Sequence, residues 1–201
     1  SIGDFVFYNC SSLTSVEIPE GVVAIEGRTF FGCTSLKCVK LPENLTKIGH
    51  YAFKECSSLM TIEMQEGVES IGEEAFYGCK SLASIKIPEC ITDISYGLFH
   101  GCSGLTNVEI PKGVTSIGEY AFYGCCSLTS IEIPEGVTSI GKYGFSGCSG
   151  LTSIGIPKGV ISIEWGTFSE CSSLTSIDIP EGVTSIGNYV FSDSGLTSIK
   201  L

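Results

Sequence analysis

The sequence predicts a strand-dominated α/β repeat solenoid, a right-handed stack of about nine 23-residue coils with a parallel sheet on one face. Residue types that recur at one interval support this prediction. Cysteine returns every 23 residues from Cys10 to Cys171, and leucine follows three residues later in each copy. Phenylalanine keeps the same step from Phe7 to Phe191. A fixed period of this length indicates that each repeat forms one coil stacked on the next.

Each coil is predicted to begin with a strand. In the clearest unit, residues 125–147, Ile131 and Ile133 are separated by one residue and therefore face the same side of a strand. Pro134 ends the strand because it cannot donate to a ladder, and the Glu-Gly pair after it makes a turn.

A second buried segment follows and leads to a tight corner. Val137 and Ile140 begin this segment, and Gly141 allows the corner. The stretch before Phe145 is too short for a full helix and predicts one helical turn. One coil cannot fold alone, because ordering its backbone opposes folding by about 1–2 kcal/mol per residue. The coils must therefore share their cores.

The whole chain, residues 1–201, is expected to form one solenoid. Ser1 already matches the middle of a repeat, so we expect a fragment of a longer protein. One residue is missing between Phe191 and Leu196, and the last coil is expected to tighten there.

Charge excludes some classes of partner. Acidic residues outnumber basic residues 22 to 11, which gives a formal net charge of −11. Nucleic acid binding requires clustered lysine and arginine, and so does adsorption to an anionic membrane surface. No apolar run approaches the roughly 20 residues of a membrane-spanning helix. We therefore expect neither a nucleic acid partner nor membrane insertion.

At this point a family resemblance can be stated. The unit Leu-Thr-Ser-Ile-x-Ile-Pro-x-Gly-Val-Thr-Ser-Ile-Gly-x-Tyr-x-Phe, which begins at Leu128 and again at Leu174, resembles the BspA-type leucine-rich repeat. The resemblance covers essentially the whole chain. It implies a leucine-rich-repeat stack without a shared catalytic residue or cofactor. Such proteins are mostly secreted or on the surface of bacteria and some parasitic protozoa, and some bind host matrix proteins.

One residue of each strand points outward, between the two inward residues. In leucine-rich repeats this sheet is typically the concave surface, which solenoids use for binding. The alternative is a solvated face on which alternating charges avoid repulsion. Gly155 and Lys200 complete this column, whose other members are the candidate binding residues Glu17, Lys40, Glu63, Lys86, Glu109, Glu132 and Asp178.

Aromatic residues form a second candidate surface. Tyr143 shares its repeat position with three other tyrosines, and Trp165 is the only tryptophan. Tyrosine and tryptophan are favoured anchors at interfaces, and aromatic rings also stack on sugars. The alternative is that these rings cover the backbone and pack on one another. Tyr143 and Trp165 are the aromatic binding candidates.

The cysteine column predicts a buried ladder of small apolar thiols. Neighbouring Cβ vectors would run parallel, which is poor geometry for a disulfide, and a line of thiols cannot surround zinc. Cys126 lies outside the column and is expected to be exposed. Free thiols suit a reducing setting, which conflicts with secretion into an oxidising one.

No motif predicts catalysis. Residues 136–143 nearly match a phosphate-binding loop, but Tyr143 replaces the hydroxyl that binds magnesium and no long helix follows. His50 and His100 occupy different positions of coils two units apart, so they cannot form a pair. We expect no enzyme, cofactor or metal.

The sequence therefore predicts a non-catalytic module that binds a protein or glycan, on a secreted or cell-surface protein, with adhesion to host matrix proteins as one role. One alternative is a structural spacer that presents another domain, which the near-identity of residues 113–122 and 136–145 favours. Another is an intracellular scaffold or effector.

Overall fold

A computed structural model describes residues 1–200 and confirms a strand-dominated solenoid of about eight turns. Leu201, the last residue of the expected domain, lies outside the described residues. Within this range, seventeen short strands, β1 to β17, alternate between two ladders. The first ladder, called the strand face, holds β1 (Ser15–Glu17), β3 (Cys38–Lys40), β5 (Thr61–Ile62), β7 (Ser84–Lys86), β9 (Asn107–Glu109), β11 (Ser130–Ile131), β13 (Ser153–Ile154), β15 (Ser176–Asp178) and β17 (Ser198–Lys200).

The second ladder lies one turn further along each coil. It holds β2 (Ala24–Ile25), β4 (Lys47–Ile48), β6 (Ser70–Ile71), β8 (Asp93–Ile94), β10 (Ser116–Ile117), β12 (Ser139–Ile140), β14 (Ser162–Ile163) and β16 (Ser185–Ile186).

All hydrogen-bonded strand pairs are parallel and join equivalent residues of successive coils. Pairing along the strand face is not continuous, since it forms the separate groups β1–β3–β5, β7–β9, β11–β13 and β15–β17. Val16 pairs with Val39, one 23-residue repeat later. In the last pair, Ser176 is opposite Ser198, only 22 residues later, so the last coil is shortened as predicted.

The predicted helical turn, and with it the α/β label, is wrong. No residue between 1 and 200 is helical, and the segment before each core phenylalanine is a run of turns. The reason is the backbone conformation, because Tyr143 and Gly147 both have positive φ, of 56° and 71°. Two left-handed residues four positions apart interrupt any right-handed helix.

A column of phenylalanine rings fills the centre of the stack. The rings of Phe53 and Phe76 are parallel to within 1°, with centroids 5.7 Å apart, and both side chains are fully buried. The third side of each coil is also joined to the next coil, since Phe53 N–H donates to the carbonyl of Ala75 at 2.8 Å. No helix of the described residues is long and apolar enough to cross a membrane.

The corner glycine of the second ladder is required by close contact between coils. A Cβ added to Gly141 would lie 2.4 Å from the Glu119 nitrogen and 2.7 Å from the Gly118 carbonyl carbon. The Gly141 N–H instead donates to the Ile117 carbonyl at 2.8 Å. The absence of a side chain therefore lets two backbones approach within hydrogen-bonding distance.

The second ladder is interrupted where this glycine is replaced. Its two breaks lie between β6 and β8 and between β12 and β14, and the coils that follow them carry Ser95 and Glu164 at the corner. At the first break the Ser95 hydroxyl donates to the Ile71 carbonyl at 3.3 Å, in place of the usual backbone N–H. Glu26 also replaces the glycine, but its N–H still donates to Ile2 at the edge of the stack.

Replacing Gly141 with alanine should lower the free energy of unfolding by about 1–3 kcal/mol, because the new Cβ forces two coils apart. Gly113→Ala is the matched control, since its Cβ would meet only the Glu89 carbonyl oxygen, at 3.8 Å. Its effect should stay within about 1 kcal/mol. Urea denaturation of both variants checks this prediction, and equal effects would contradict it.

Candidate binding surfaces

The predicted outward column forms one exposed line across the strand face. Glu63 and Glu132 directly follow their strands, and the other charged members lie within strands. Equivalent residues stand side by side, as Glu17 and Lys40 do in the β1–β3 pair. The structure therefore brings together all seven charged candidates: Glu17, Lys40, Glu63, Lys86, Glu109, Glu132 and Asp178.

Only some of the charged side chains in this column form ion pairs. Lys40 Nζ donates to Glu17 Oε1 at 2.5 Å, and this contact lowers the pKa of Glu17 and raises the pKa of Lys40. Lys86 Nζ donates to Glu66 on the neighbouring turn at 2.6 Å. Among the described residues, Glu63, Glu109 and Glu132 have no cation within 4.0 Å. These carboxylates are open to a partner.

The strand face also forms a groove. Cavities of about 710, 630 and 760 Å³ follow one another along the strands, and each shares lining residues with the next. They extend from Lys86 on β7 to Lys200 on β17, bounded on one side by the turns after the strand prolines. A further cavity of about 510 Å³ lies between Glu17 and Glu63.

The two aromatic candidates lie on neighbouring coils. Tyr143 stacks on Tyr120 with ring centroids 5.1 Å apart and planes at 12°. Trp165 is 40% exposed and lies 5.4 Å from Tyr189, which is 64% exposed, with the two rings tilted by 40°. The packing alternative therefore holds for Tyr143, whereas Trp165 and Tyr189 leave much of their surface open.

The tyrosine position has an unfavourable backbone conformation, which the sequence did not reveal. The nine residues at the repeat position of Tyr143 all have positive φ, and two of them are glycines, which adopt this conformation without strain. A bulky residue with positive φ is a genuine outlier, and the left-handed conformation opposes folding by roughly 1–2 kcal/mol for each such residue. This tyrosine column comprises Phe5, Arg28, Tyr51, Glu74, Gly97, Tyr120, Tyr143, Gly166 and Tyr189.

A second column of residues with positive φ follows the usual preference for glycine in this conformation. Five of its nine members are glycine, and the others are short or flexible polar residues. The contrast between the two columns indicates that tyrosine occupies the first one because of its side chain and not because of its backbone preference. This glycine column comprises Asn9, Gly32, Glu55, Gly78, Gly101, Gly124, Gly147, Glu170 and Asp193.

The buried thiol ladder is present, and its thiols are hydrogen-bond donors. Seven of the eight column cysteines are buried, and only Cys10 in the first coil is exposed, as are Cys38, Cys90 and Cys126. Each buried thiol donates to a phenylalanine carbonyl of the preceding coil, as Cys102 Sγ does to Phe76 at 3.1 Å. The seven buried cysteines are therefore structural rather than reactive.

The histidines also have local, separate contacts. His50 Nδ1 accepts the Glu73 backbone N–H at 3.0 Å. The His100 ring lies between Tyr77 and Tyr123, with centroids 4.4 and 4.7 Å away, and burial lowers its pKa. Within residues 1–200, no group of three or more His, Cys, Asp or Glu side chains is arranged to hold a metal ion.

Comparison with known proteins identifies the repeat. The model of the BspA type leucine rich repeat region matches residues 1–125 and 92–201, with 6 copies. The chain is 35% identical to a leucine rich cell surface protein of Faecalibacterium prausnitzii A2-165, with a TM-score of 0.79 over 99% of this chain and 64% of that one. This chain thus spans less than two thirds of that protein's length.

Two further solved structures are similar. A leucine-rich repeat protein of T. pallidum is 30% identical, with a TM-score of 0.58 over 86% of this chain and 72% of that one. A leucine-rich repeat protein of Bacteroides ovatus ATCC 8483 is 27% identical, with a TM-score of 0.51 over 96% of this chain and 74% of that one. No curated protein matches the chain.

The thiol ladder should make the fold sensitive to alkali. Burial raises the pKa of Cys33 to about 11, and the pKa values of Cys102 and Cys171 to about 12, from an ordinary 9.0. Above pH 9 the unfolded chain therefore releases protons that the folded chain still holds, so stability falls as pH rises. The slope should reach about 1.4 kcal/mol per pH unit for each thiol.

Denaturation between pH 8 and 10 checks this prediction. Cys102→Ser should give a shallower slope, whereas Cys126→Ser, at an exposed thiol, should leave it unchanged. Titration with a thiol reagent at pH 8 should detect four rapidly reacting thiols in the folded protein, matching the four exposed cysteines. A flat stability profile, or eleven equally reactive thiols, would refute a buried, protonated ladder.

Backbone strain in the tyrosine column predicts unequal effects of glycine. Tyr189→Gly relieves a φ of 58°, whereas Tyr96 is also exposed but has no positive φ. Tyr96→Gly should therefore lower the free energy of unfolding by at least about 1 kcal/mol more than Tyr189→Gly does. Thermal and urea denaturation measure the difference, and equal losses would show that the left-handed conformation carries no strain.

Proposed function

Because the chain belongs to the BspA-type leucine-rich-repeat family, we propose that it is a non-catalytic module that binds another protein through its strand face. The observation that carries this proposal is the groove along the strand face, with carboxylates beside it that have no ion-pair partner in the part of the chain that the structure describes. The repeat holds these side chains at fixed spacing, while their identity changes from coil to coil. A rigid frame with variable outward residues suits a recognition surface.

We place this module on a secreted or cell-surface protein, and adhesion is the role that we favour. Support comes from the cell surface protein of Faecalibacterium prausnitzii, the 35% identical relative. Seven of the eleven free thiols are compatible with this location because they are buried and protonated, and the thiolate is the reactive form. The four exposed thiols remain open to oxidation there.

A second binding surface is favoured by the tyrosine column. Tyr189 retains a 64% exposed ring at a left-handed position, beside the exposed Trp165. Aromatic rings held against backbone preference are typical of functional sites. We propose the Trp165–Tyr189 pair, with Tyr143 next to it, as an accessory contact for a protein or glycan.

Changing Glu63, Lys86, Glu109 and Glu132 to alanine should abolish binding by removing the central charges of the strand face. Biolayer interferometry against a panel of host matrix proteins and glycans, at low and physiological salt, measures the effect. Binding by the intact chain should fall at least tenfold in the variant, a change of about 1.4 kcal/mol.

The matched control removes the same charges away from the strand face, at Glu69, Glu73, Lys80 and Asp93, which are all exposed. It should bind like the unaltered chain. Equal binding by all three proteins would exclude the strand face. Absence of any binding by the folded chain would favour a structural spacer instead.

A further inference from the structure

Gly155 is the only member of the outward column without a side chain. Neither packing nor backbone geometry requires glycine there. A Cβ added at Gly155 would meet nothing within 4 Å, and its φ lies outside the left-handed region. Gly155 directly follows β13, and a glycine in ordered backbone loses more conformational freedom on folding than an alanine does. The fold therefore gives no reason for this glycine, unlike Gly141.

The effect of Gly155 is a notch in the groove. The cavities of about 630 and 760 Å³ meet at Gly155 and Ile156, which line both. Ile154 and Ile156 form the apolar floor there and are 8% and 9% exposed. The corresponding Ile131 and Ile133 of the Glu132 coil are 7% and 8% exposed, so the notch is due to the missing side chain of Gly155 and not to a more open floor. The notch therefore offers an apolar floor to an inserted side chain.

Carboxylates flank the notch on both sides. Glu132 and Asp178 occupy the same column one coil before and one coil after Gly155, so they stand roughly 10 Å apart at two strand spacings. In residues 1–200 neither has a cation within 4.0 Å, although Lys200 stands beside Asp178 in the register. Lys112 and Lys158 line the cavities on the turn side, where they alternate with Glu135 and Glu181.

A long cationic side chain fits this combination. Its methylene groups can lie on the isoleucine floor while its charged end reaches a flanking carboxylate, as arginine and lysine side chains commonly do. An acidic side chain would face Glu132 and Asp178, and a purely apolar one would leave both carboxylates without a partner. The joined cavities cross six strands, roughly 24 Å, which accommodates about seven extended residues.

We propose that the strand-face groove binds an extended segment of a partner protein and that the notch at Gly155 receives an arginine or lysine side chain of that segment. This inference rests on the proposed function of the strand face and names the chemistry of its partner. Gly155 is then the residue that determines specificity, because it leaves space where neighbouring coils carry charged side chains.

The test uses acetylated and amidated heptapeptides, Ser-Val-Thr-Xaa-Thr-Val-Ser, with arginine, lysine, norleucine or glutamate at the centre. Binding to the whole chain is measured by calorimetry, and by NMR shifts of the Gly155 amide and the Ile154 and Ile156 methyl groups. The arginine and lysine peptides should bind with dissociation constants below about 1 mM, at least tenfold tighter than the other two. Their binding should weaken with salt.

Gly155→Thr should reduce binding of the arginine peptide at least tenfold by filling the notch. Threonine favours strands and its Cβ is unobstructed, so thermal stability should be maintained or raised. Gly21→Thr is the control, since its Cβ also meets nothing within 4 Å and it lies far along the stack. A second variant, Glu132→Gln with Asp178→Asn, should remove the preference for arginine over norleucine without filling the notch.

Three outcomes would overturn the proposal that the notch receives an arginine or lysine side chain. They are equal binding of the norleucine peptide, unchanged binding by Gly155→Thr, or no binding of any peptide at about 5 mM. None of these results bears on whether matrix proteins bind the strand face through its charged column. The four-residue alanine variant tests that separately, so failure of the notch and failure of the proposed function are distinguishable.

Discussion

Backbone hydrogen bonds between successive coils impose the constraint on which the rest of the structure depends. They join all three sides of a coil, as Ile18 N–H to the Lys40 carbonyl, Gly49 N–H to the Ile25 carbonyl and Phe53 N–H to the Ala75 carbonyl illustrate. Because these bonds recur along most of the stack, each residue takes a backbone conformation close to that of its equivalent one repeat away. The chain can then vary only the side chain at a position, and the repeated conformation decides which side chains fit well.

The buried thiols show what this constraint requires of the core. Each of the seven buried column cysteines lies under the carbonyl of a phenylalanine in the preceding coil, as Cys125 Sγ does at 3.2 Å from the Phe99 oxygen. A small apolar side chain with a weak donor fills this space and adds a second hydrogen bond to a carbonyl that already accepts a backbone N–H, as Phe99 does from Cys102. The stacked phenylalanines fix the spacing beside it, so one cysteine per coil follows from geometry rather than from redox chemistry. Cys10 is the one exposed member of the column.

The sequence predicted the stack, both buried segments and the seven charged residues of the strand face. The 23-residue period and the alternation of apolar residues along each strand indicate which side chains face inward. It could not predict features that depend on backbone angles or on neighbouring coils. Tyr143 is a residue type that ordinarily avoids positive φ, so its left-handed conformation was invisible and a helical turn was wrongly expected. Lys86 bonds to Glu66 on a turn rather than to its column neighbour Glu109, which depends on side-chain reach. The binding role of these residues stays a prediction.

Departures from the repeat therefore separate into two kinds. At Ser95 the structure supplies the consequence directly, because the second ladder breaks there and a hydroxyl replaces the lost backbone donor. At Gly155 the strand face is unpaired between β13 and β15, but the same gap occurs between β5 and β7 and between β9 and β11, where the column carries charged side chains. The change peculiar to Gly155 is therefore an opening in the outer surface, since a Cβ there would meet nothing within 4 Å. A departure that the fold neither requires nor benefits from must be explained outside the fold. In a molecule whose backbone is fixed by its neighbours, such positions are where a partner can be specified without disturbing the stack.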